Sequence, residues 1–167
     1  MKDAITSRRS IRKYTDQPLP EGTIEKLLHA AVAAPSAGNE QPWHFLVITD
    51  KKQLARIPEV HEYSSMVPSA QACIMVCGEP AVARHGEMWA QDCAAATENI
   101  LLALNALGLG GVWLGCYPKM PRVAGLAEMF GVPDNIVPFS LVPFGYPAEE
   151  KEPRDNYRPE RVHFDRW

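Results

Sequence analysis

The run Arg8-Arg9-Ser10-Ile11-Arg12-Lys13-Tyr14 places four basic groups and a small hydroxyl within seven residues. Guanidinium groups offer paired donors in a planar fork, and a serine adds a short O–H donor, so this segment suits a phosphate. The other reading is a solvated helix end, where cations are mildly favourable. A second run, Pro35-Ser36-Ala37-Gly38-Asn39-Glu40-Gln41-Pro42-Trp43, combines two prolines with small polar residues, which makes a fixed loop. Asn39 and Gln41 each carry a donor and an acceptor. They can read the edge of a heterocycle or a sugar hydroxyl, or they can bond backbone in a simple connection. A third run, G-L-G-G-V-W-L-G-C-Y over residues 108–117, clusters glycines that let a flat ligand approach backbone amides. Trp113 and Tyr117 can wall an aromatic pocket there. The alternative is a helix stop leading into a strand. The last, Asn156-Tyr157-Arg158-Pro159-Glu160-Arg161, is either solvated charge or a second grip on the anion held by the first run.

Several chemistries are excluded by spacing. The glycine run is not a dinucleotide fingerprint, since its spacing is wrong and it comes after a helix where that motif comes after a strand. There is no Walker A sequence, no G-x-S-x-G nucleophile context and no H-E-x-x-H or zinc-ligand spacing. No metal is expected. Net charge is −3, which gives no global reason to expect nucleic acid, yet seven of the ten arginines lie at the two chain ends. Hydrophobic residues form 46% of the 167, enough for the core of one domain, and no uncharged apolar run of about 18 residues predicts a membrane span. The opening residues lack the apolar stretch of a signal peptide. Four cysteines, Cys73, Cys77, Cys93 and Cys116, read as packing residues of a reduced, cytoplasmic protein.

Periodicity predicts the elements that must position these runs. Residues 3–9 can form a short helix, with Asp3 favourable near its start. Residues 20–34 read as a helix whose Ile24, Leu27, Leu28, Ala31 and Val32 share one face. Residues 44–49 read as a strand, and Asp50 as the cap of a helix over 51–57. Residues 72–77 are almost wholly apolar, as in a strand buried on both faces. A long helix is expected over 83–107. Its second half carries one charge in fifteen residues, so it is read as buried all round and central to a subunit interface. Glycines 108, 110 and 111 stop it. A strand can start at 112–114, a helix is expected near 122–130, and a strand over 139–145, where Pro143 predicts an edge or a bulge. Residues 149–167 read as an extended tail. The alternation gives an α+β or α/β layered domain spanning residues 1–167.

Four pieces in this order resemble the nitroreductase family of FMN-dependent oxidoreductases, its short members in particular. They are RRSIRKY at 8–14, APSAGNEQPWHFLV at 34–47, QDCAAATENILLALNALGLGGVWLG at 91–115 and YRPERVHFDRW at 157–167. The resemblance implies an α+β fold: a three-layer α/β/α sandwich around a mixed, mostly antiparallel sheet, in an intertwined homodimer with FMN at the subunit interface. It implies that Arg8, Arg9, Ser10 and Arg12 hold the phosphate and the ribityl or pyrimidine end. Pro35, Ser36, Ala37, Asn39 and Gln41 then border the flavin, in part from the second subunit. Trp113, Leu114 and Gly115 lie along the ring near N5, and Arg158 reaches the phosphate where relatives commonly have Lys. Little sequence separates the second strand from the long helix, which implies an open site without an extra helical lid.

The implied reaction has two halves in one site. NADH or NADPH passes hydride to flavin N5, its product leaves, and a nitroaromatic, quinone or similar small-molecule acceptor takes the electrons. The cofactor carries the chemistry, so no catalytic acid–base side chain is assigned. Arg9 or Arg12 is the candidate cation beside the reduced flavin. Two other readings are a flavin-binding or flavin-handling protein without efficient NAD(P)H turnover, and an anion-binding module gripping a phosphorylated partner.

Overall fold

The computed structural model describes residues 4–167. Its centre is a strand pair in which almost every side chain is apolar. Strand β2 (Ala72–Gly78) is buried at every position, and β5 (Val137–Gly145) at all but its first. The period of two sorts β2 between two cores. Ala72, Ile74 and Val76 pack on one face, Cys73, Met75 and Cys77 on the other. Strand β1 (Trp43–Ile48) pairs antiparallel with the outer side of β2. Two short strands, β3 (Gly110–Gly111) and β4 (Leu114–Gly115), pair antiparallel with the far side of β5. The order is β1-β2-β5-β3, with β4 also on β5.

Helices cover both faces, giving the three layers. On one face α3 (Met88–Ala106) lies on the sheet and α1 (Thr23–Val32) packs against α3. Leu27 and Ala31 of α1 and Ile100 and Leu104 of α3 join β2 and β5 in one core. On the other face α2 (Lys51–Arg56) and α4 (Met120–Phe130) supply Leu54 and Leu126. Asp50 caps α2 as expected, its carboxylate accepting the Lys52 N–H at 2.8 Å. All named ladders are antiparallel; the parallel element is a bridge between Ser10 and Gly111. The expected α+β sandwich is therefore present.

Several expectations are corrected. The helix over 3–9 is absent: residues 4–7 make a turn, and Asp3 lies outside the described residues. Tertiary partners recruit this backbone instead, since Asn105 donates to the Ala4 carbonyl at 2.9 Å and Ile11 N–H reaches the Gly111 carbonyl at 3.0 Å. The long helix begins at Met88, not 83, because a turn at Pro80–Val82 and Gly86 at φ 66° interrupt it. The single strand at 112–114 is replaced by β3 and β4, which flank Val112 and Trp113. Pro143 does not mark an edge, because β5 is central. N–H and C=O of a strand residue point the same way, and the Pro143 carbonyl accepts the Val112 N–H at 3.4 Å. Its missing N–H therefore falls where the β3/β4 ladder is already interrupted. The irregularity lies instead between Val76 and Cys77, opposite Pro138. Helix α3 is not buried all round within one chain, since Ala94, Ala95 and Leu102 stay half-buried.

Residues 149–167 run irregularly past the sheet, with one short turn at Pro159–Arg161. Phe164 and Trp167 at their end are exposed.

Two outcomes test this core. Ile100→Ala removes a fully buried side chain and should cost about 2–5 kcal/mol in denaturant unfolding, whereas Asp50→Ala should cost about 0.5–2 kcal/mol. All four cysteines are free and buried, and burial pushes the thiols of Cys77, Cys93 and Cys116 up to about 12. A thiol reagent at neutral pH should label them only after unfolding; rapid labelling of the folded protein would contradict this packing.

Candidate functional site

Helix α3 ends in a turn that sets the path of the chain into β3. Gly108 stands at φ 72°, Leu109 N–H reaches back to the Leu104 carbonyl at 2.9 Å, and Gly108 N–H to Asn105 at 3.1 Å. The chain then reverses into β3, closely packed on both sides. A Cβ at Gly110 would stand 2.7 Å from Ile11, and one at Gly111 would stand 2.7 Å from Leu104. Only glycine lets the N-terminal segment lie this close to the sheet and α3.

That contact fixes the basic run. Ser10 bridges Gly111, Ile11 is buried, and Tyr14 is buried with its hydroxyl donating to the carbonyls of Ile11 at 2.7 Å and Pro143 at 3.1 Å. Burial raises the Tyr14 pKa, so it remains a donor. Arg8, Arg9, Ser10 and Arg12 are left lining a cleft of about 590 Å³, joined by Lys151 and Arg154. Some of this charge already has partners. Arg8 pairs with Glu98 of α3 at 3.2 Å, which accounts for the one charge in that half of the helix. Lys151 donates to the Ser10 carbonyl at 2.6 Å and pairs with Glu149 at 3.2 Å. Glu149 also accepts the Arg12 N–H at 2.6 Å, which holds its carboxyl below the usual range. The donor set is that of an anion site, and a phosphate is the anion it fits.

A second cleft of about 450 Å³ adjoins it, with Arg12 common to both. Trp113, Leu114 and Gly115 form one wall. Trp113 is half-buried and meets the Phe139 ring edge-on at 5.9 Å between centroids. Gly115 is exposed, with nothing within 4 Å of a Cβ placed there, so a flat group can reach the backbone. The facing wall comes from His61, Glu62, Tyr63, Met66 and Arg122. Sequence reading missed this wall and also Lys151. Residues 61–63 and Arg122 meet only through the fold, and no local pattern announces them.

The loop at 35–41 lies elsewhere in the chain, lining neither cleft. The Ala37 N–H donates to Asp92 Oδ1 of α3 at 3.0 Å. Gly38, Asn39 and Gln41 all take left-handed φ values of 55, 55 and 51°. For Gln41 that conformation is strained. The loop is held from within: Ser36 Oγ accepts the Gln41 N–H at 3.0 Å, and the Gln41 amide donates to Asn39 Oδ1 at 3.2 Å. Pro35, Asn39 and Gln41 are exposed, while Ser36 and Ala37 are half-buried. Arg158 is exposed in the tail and lines neither cleft; Lys151 and Arg154 occupy the basic cleft in its place. Among the described residues no group of His, Cys, Asp or Glu could hold a metal, and no helix is long and apolar enough to cross a membrane.

Comparison with known proteins adds to this geometry. A model of the "Nitroreductase family" matches residues 5–65 and 59–146. A protein of Archaeoglobus fulgidus named "Putative NADH dehydrogenase/NAD(P)H nitroreductase" is 50% identical, over 98% of this chain and 96% of its own length. A crystal structure from Clostridium acetobutylicum, named "Putative NADH Oxidase", superposes with a TM-score of 0.95 at 41% identity, over 99% and 100% of the two chains. An "FMN-dependent Nitroreductase" from Clostridium difficile superposes with a TM-score of 0.92 at 26% identity, over the full length of both.

The Glu62–Arg122 pair gives a pH prediction. The hydrogen bond from Arg122 holds the Glu62 carboxyl down at about 2 against an ordinary 4.5. A depressed folded-state value means the pair's contribution is present above 4.5 and is lost as pH falls toward 2. NMR titration of the Glu62 carboxyl should therefore find its midpoint near 2, and Arg122→Gln should return it toward 4.5. A midpoint at the ordinary value in the parent protein would contradict the pairing.

Proposed function

The chain belongs to the nitroreductase family and is an FMN-dependent oxidoreductase, and we propose that its two adjoining clefts divide the cofactor between them. The phosphate lies among Arg8, Arg9, Ser10 and Arg12, and the ring lies along Trp113, Leu114 and Gly115. The observation carrying this reading is that Arg12 lines both clefts, so one elongated anionic ligand can occupy them together. The donor chemistry fits at both ends: guanidinium forks for a phosphate, and an aromatic, open backbone edge for a flat heterocycle.

Bound FMN supplies the two-electron carrier that links NADH or NADPH to an acceptor. The protein's part is to bind, orient and set the electrostatics. Of the two candidate cations, Arg12 lines the ring cleft and places positive charge where negative charge grows on reduction, while Arg9 stays at the phosphate end. Trp113 closes one side of the second cleft against water. The open edge at Gly115 leaves room for a nicotinamide and then a nitroaromatic, quinone or similar acceptor to use the same space in turn, a ping-pong cycle.

The functional unit proposed is a homodimer in a reducing, cytoplasmic setting. Three features support a second copy. The strained 35–41 loop lines neither cleft of its own chain, which suits it to complete its partner's. Glu40 Oε2 within that loop and Asp92 Oδ2 beside it are buried without a hydrogen-bond partner among the described residues. The tail offers Phe164 and Trp167 to something other than its own core. An intertwined dimer also gives Arg158 an anion to reach, across the interface.

Anaerobic absorption spectra test the reading. The FMN-loaded protein should show a flavin band that bleaches on adding NADH or NADPH and returns with a quinone or nitroaromatic. A band that persists with both donors would mean flavin handling without turnover. A protein that cannot be loaded with FMN would overturn the assignment. Removing a charged donor to phosphate costs about 1.5–3 kcal/mol, so Arg9→Ala or Arg12→Ala should weaken FMN binding about 10–100-fold in a fluorescence titration. Sedimentation should give twice the mass of one chain.

A further inference from the structure

Two side chains that the proposed function leaves unused converge on one backbone carbonyl. Gly115 C=O accepts Arg122 Nη1 at 2.9 Å and lies 3.1 Å from His61 Nε2. The tautomer of His61 is set by its other nitrogen, which lies 3.3 Å from the Tyr63 N–H and so accepts. Nε2 then carries the proton and donates to Gly115. His61 is buried, and burial pushes its pKa below the ordinary value, which keeps the ring neutral in that tautomer. Arg122 is itself held. Its Nε donates to Glu62 Oε2 at 3.0 Å, its Nη2 donates to Glu62 Oε1, and its guanidinium lies 5.2 Å from the Tyr63 ring centroid.

The position of Gly115 gives this clamp a purpose. Strand β4 pairs with β5 on one side only, and the next residue, Cys116, donates its N–H to Phe139 at 3.0 Å on that side. Backbone groups alternate sides along a strand, and the N–H and C=O of one residue point together. A carbonyl turned away from β5 to His61 and Arg122 therefore brings the Gly115 N–H to the cleft side as well. A two-residue strand next to an interrupted ladder has little of its own to hold that direction. The side-chain clamp supplies it.

We propose that Arg122 is a positioning and potential-setting residue of the redox site: with His61 it fixes the Gly115 peptide toward the cleft, and with Glu62 it sets the charge that the cleft presents. The proposal rests on the FMN reading of that cleft. Arg122 and Glu62 line the same space as Trp113, Leu114 and Gly115. Reduction of a flavin adds negative charge, so a nearby cation favours the reduced form and a nearby anion disfavours it. Paired, the two nearly cancel. Each single substitution unmasks the other charge.

The test is the midpoint potential of bound FMN, measured by dye equilibration in the parent, Glu62→Gln, Arg122→Gln and the double variant. Glu62→Gln should raise the potential, Arg122→Gln should lower it, and the double variant should return close to the parent. A merely structural role would move both single variants the same way or neither. Either of those results, with FMN still bound, overturns the proposal. Failure of the parent protein to bind FMN overturns the family-based reading of the site instead. If Arg122→Gln does not fold, Arg122→Lys keeps the charge and should stay near the parent potential; a fall as large as charge removal predicts would count against it. A flavin-free readout is the ¹⁵N spectrum of the His61 imidazole. It should show the neutral Nε2–H tautomer at neutral pH, and the other tautomer would break the clamp.

Discussion

The contact of Ile11 with the bare backbone of Gly110 and Gly111 holds this architecture together. It is a contact of zero side chain on one side, and it works at three levels. Locally, it lets the chain leave α3 through a tight glycine turn and run straight into the sheet. In the sheet, it lays the N-terminal segment along the outer strand β3, through the bridge between Ser10 and Gly111. At the site, it decides where the arginines go. With Ser10 bridged to Gly111 and Tyr14 anchored to the carbonyls of Ile11 and Pro143, the side chains between them have few directions left. A side chain at Gly110 would push the segment away through Ile11, and one at Gly111 would meet Leu104 of α3 and the Pro143 carbonyl.

From that contact the site divides into two parts of different physics. The proposed phosphate end is electrostatic and partly neutralised in advance, with Arg8 on Glu98 and Lys151 on Glu149. Such pairing keeps a cluster of cations from repelling itself before a ligand arrives, at the expense of some attraction for the anion. The proposed ring end is a backbone site walled by an aromatic side chain, and its charge comes from Arg12 and from Arg122 paired with Glu62. The chemistry belongs to the cofactor, so what this chain contributes in the proposed reading is placement and field.

How much of the fold was legible depends on which signals are local. The α1 face, the Asp50 cap, the buried β2 run and the glycine stop are all written within a few residues, and each lies where periodicity puts it, except that Val32 at the end of the α1 face is exposed. Residue type marks the basic run at 8–14 and family resemblance marks the Trp113–Gly115 segment, and the fold brings them to adjoining clefts, while Tyr117, also a candidate pocket wall, packs on Trp89 instead. Failures came where tertiary partners overrode local preference. Residues 4–7 became a turn because Asn105 and Gly111 claimed the adjoining backbone. Pro143 looked like an edge signal, yet it sits in a central strand, since its missing donor coincides with a break in the neighbouring ladder. The His61–Glu62–Arg122 wall was invisible for a plainer reason: Glu62 and Arg122 stand 60 residues apart, and neither has an unusual neighbourhood in sequence.

The proposed division of one ligand between two clefts that meet at Arg12 is open to a direct test, a crystal structure of the protein with FMN. Density for the phosphate is expected within hydrogen-bonding distance of the Arg8, Arg9, Ser10 or Arg12 side chains, with the ring against Trp113 and the Gly115 backbone. A phosphate bound elsewhere, or a ring outside the cleft that Arg122 and Tyr63 wall, would be incompatible with that division.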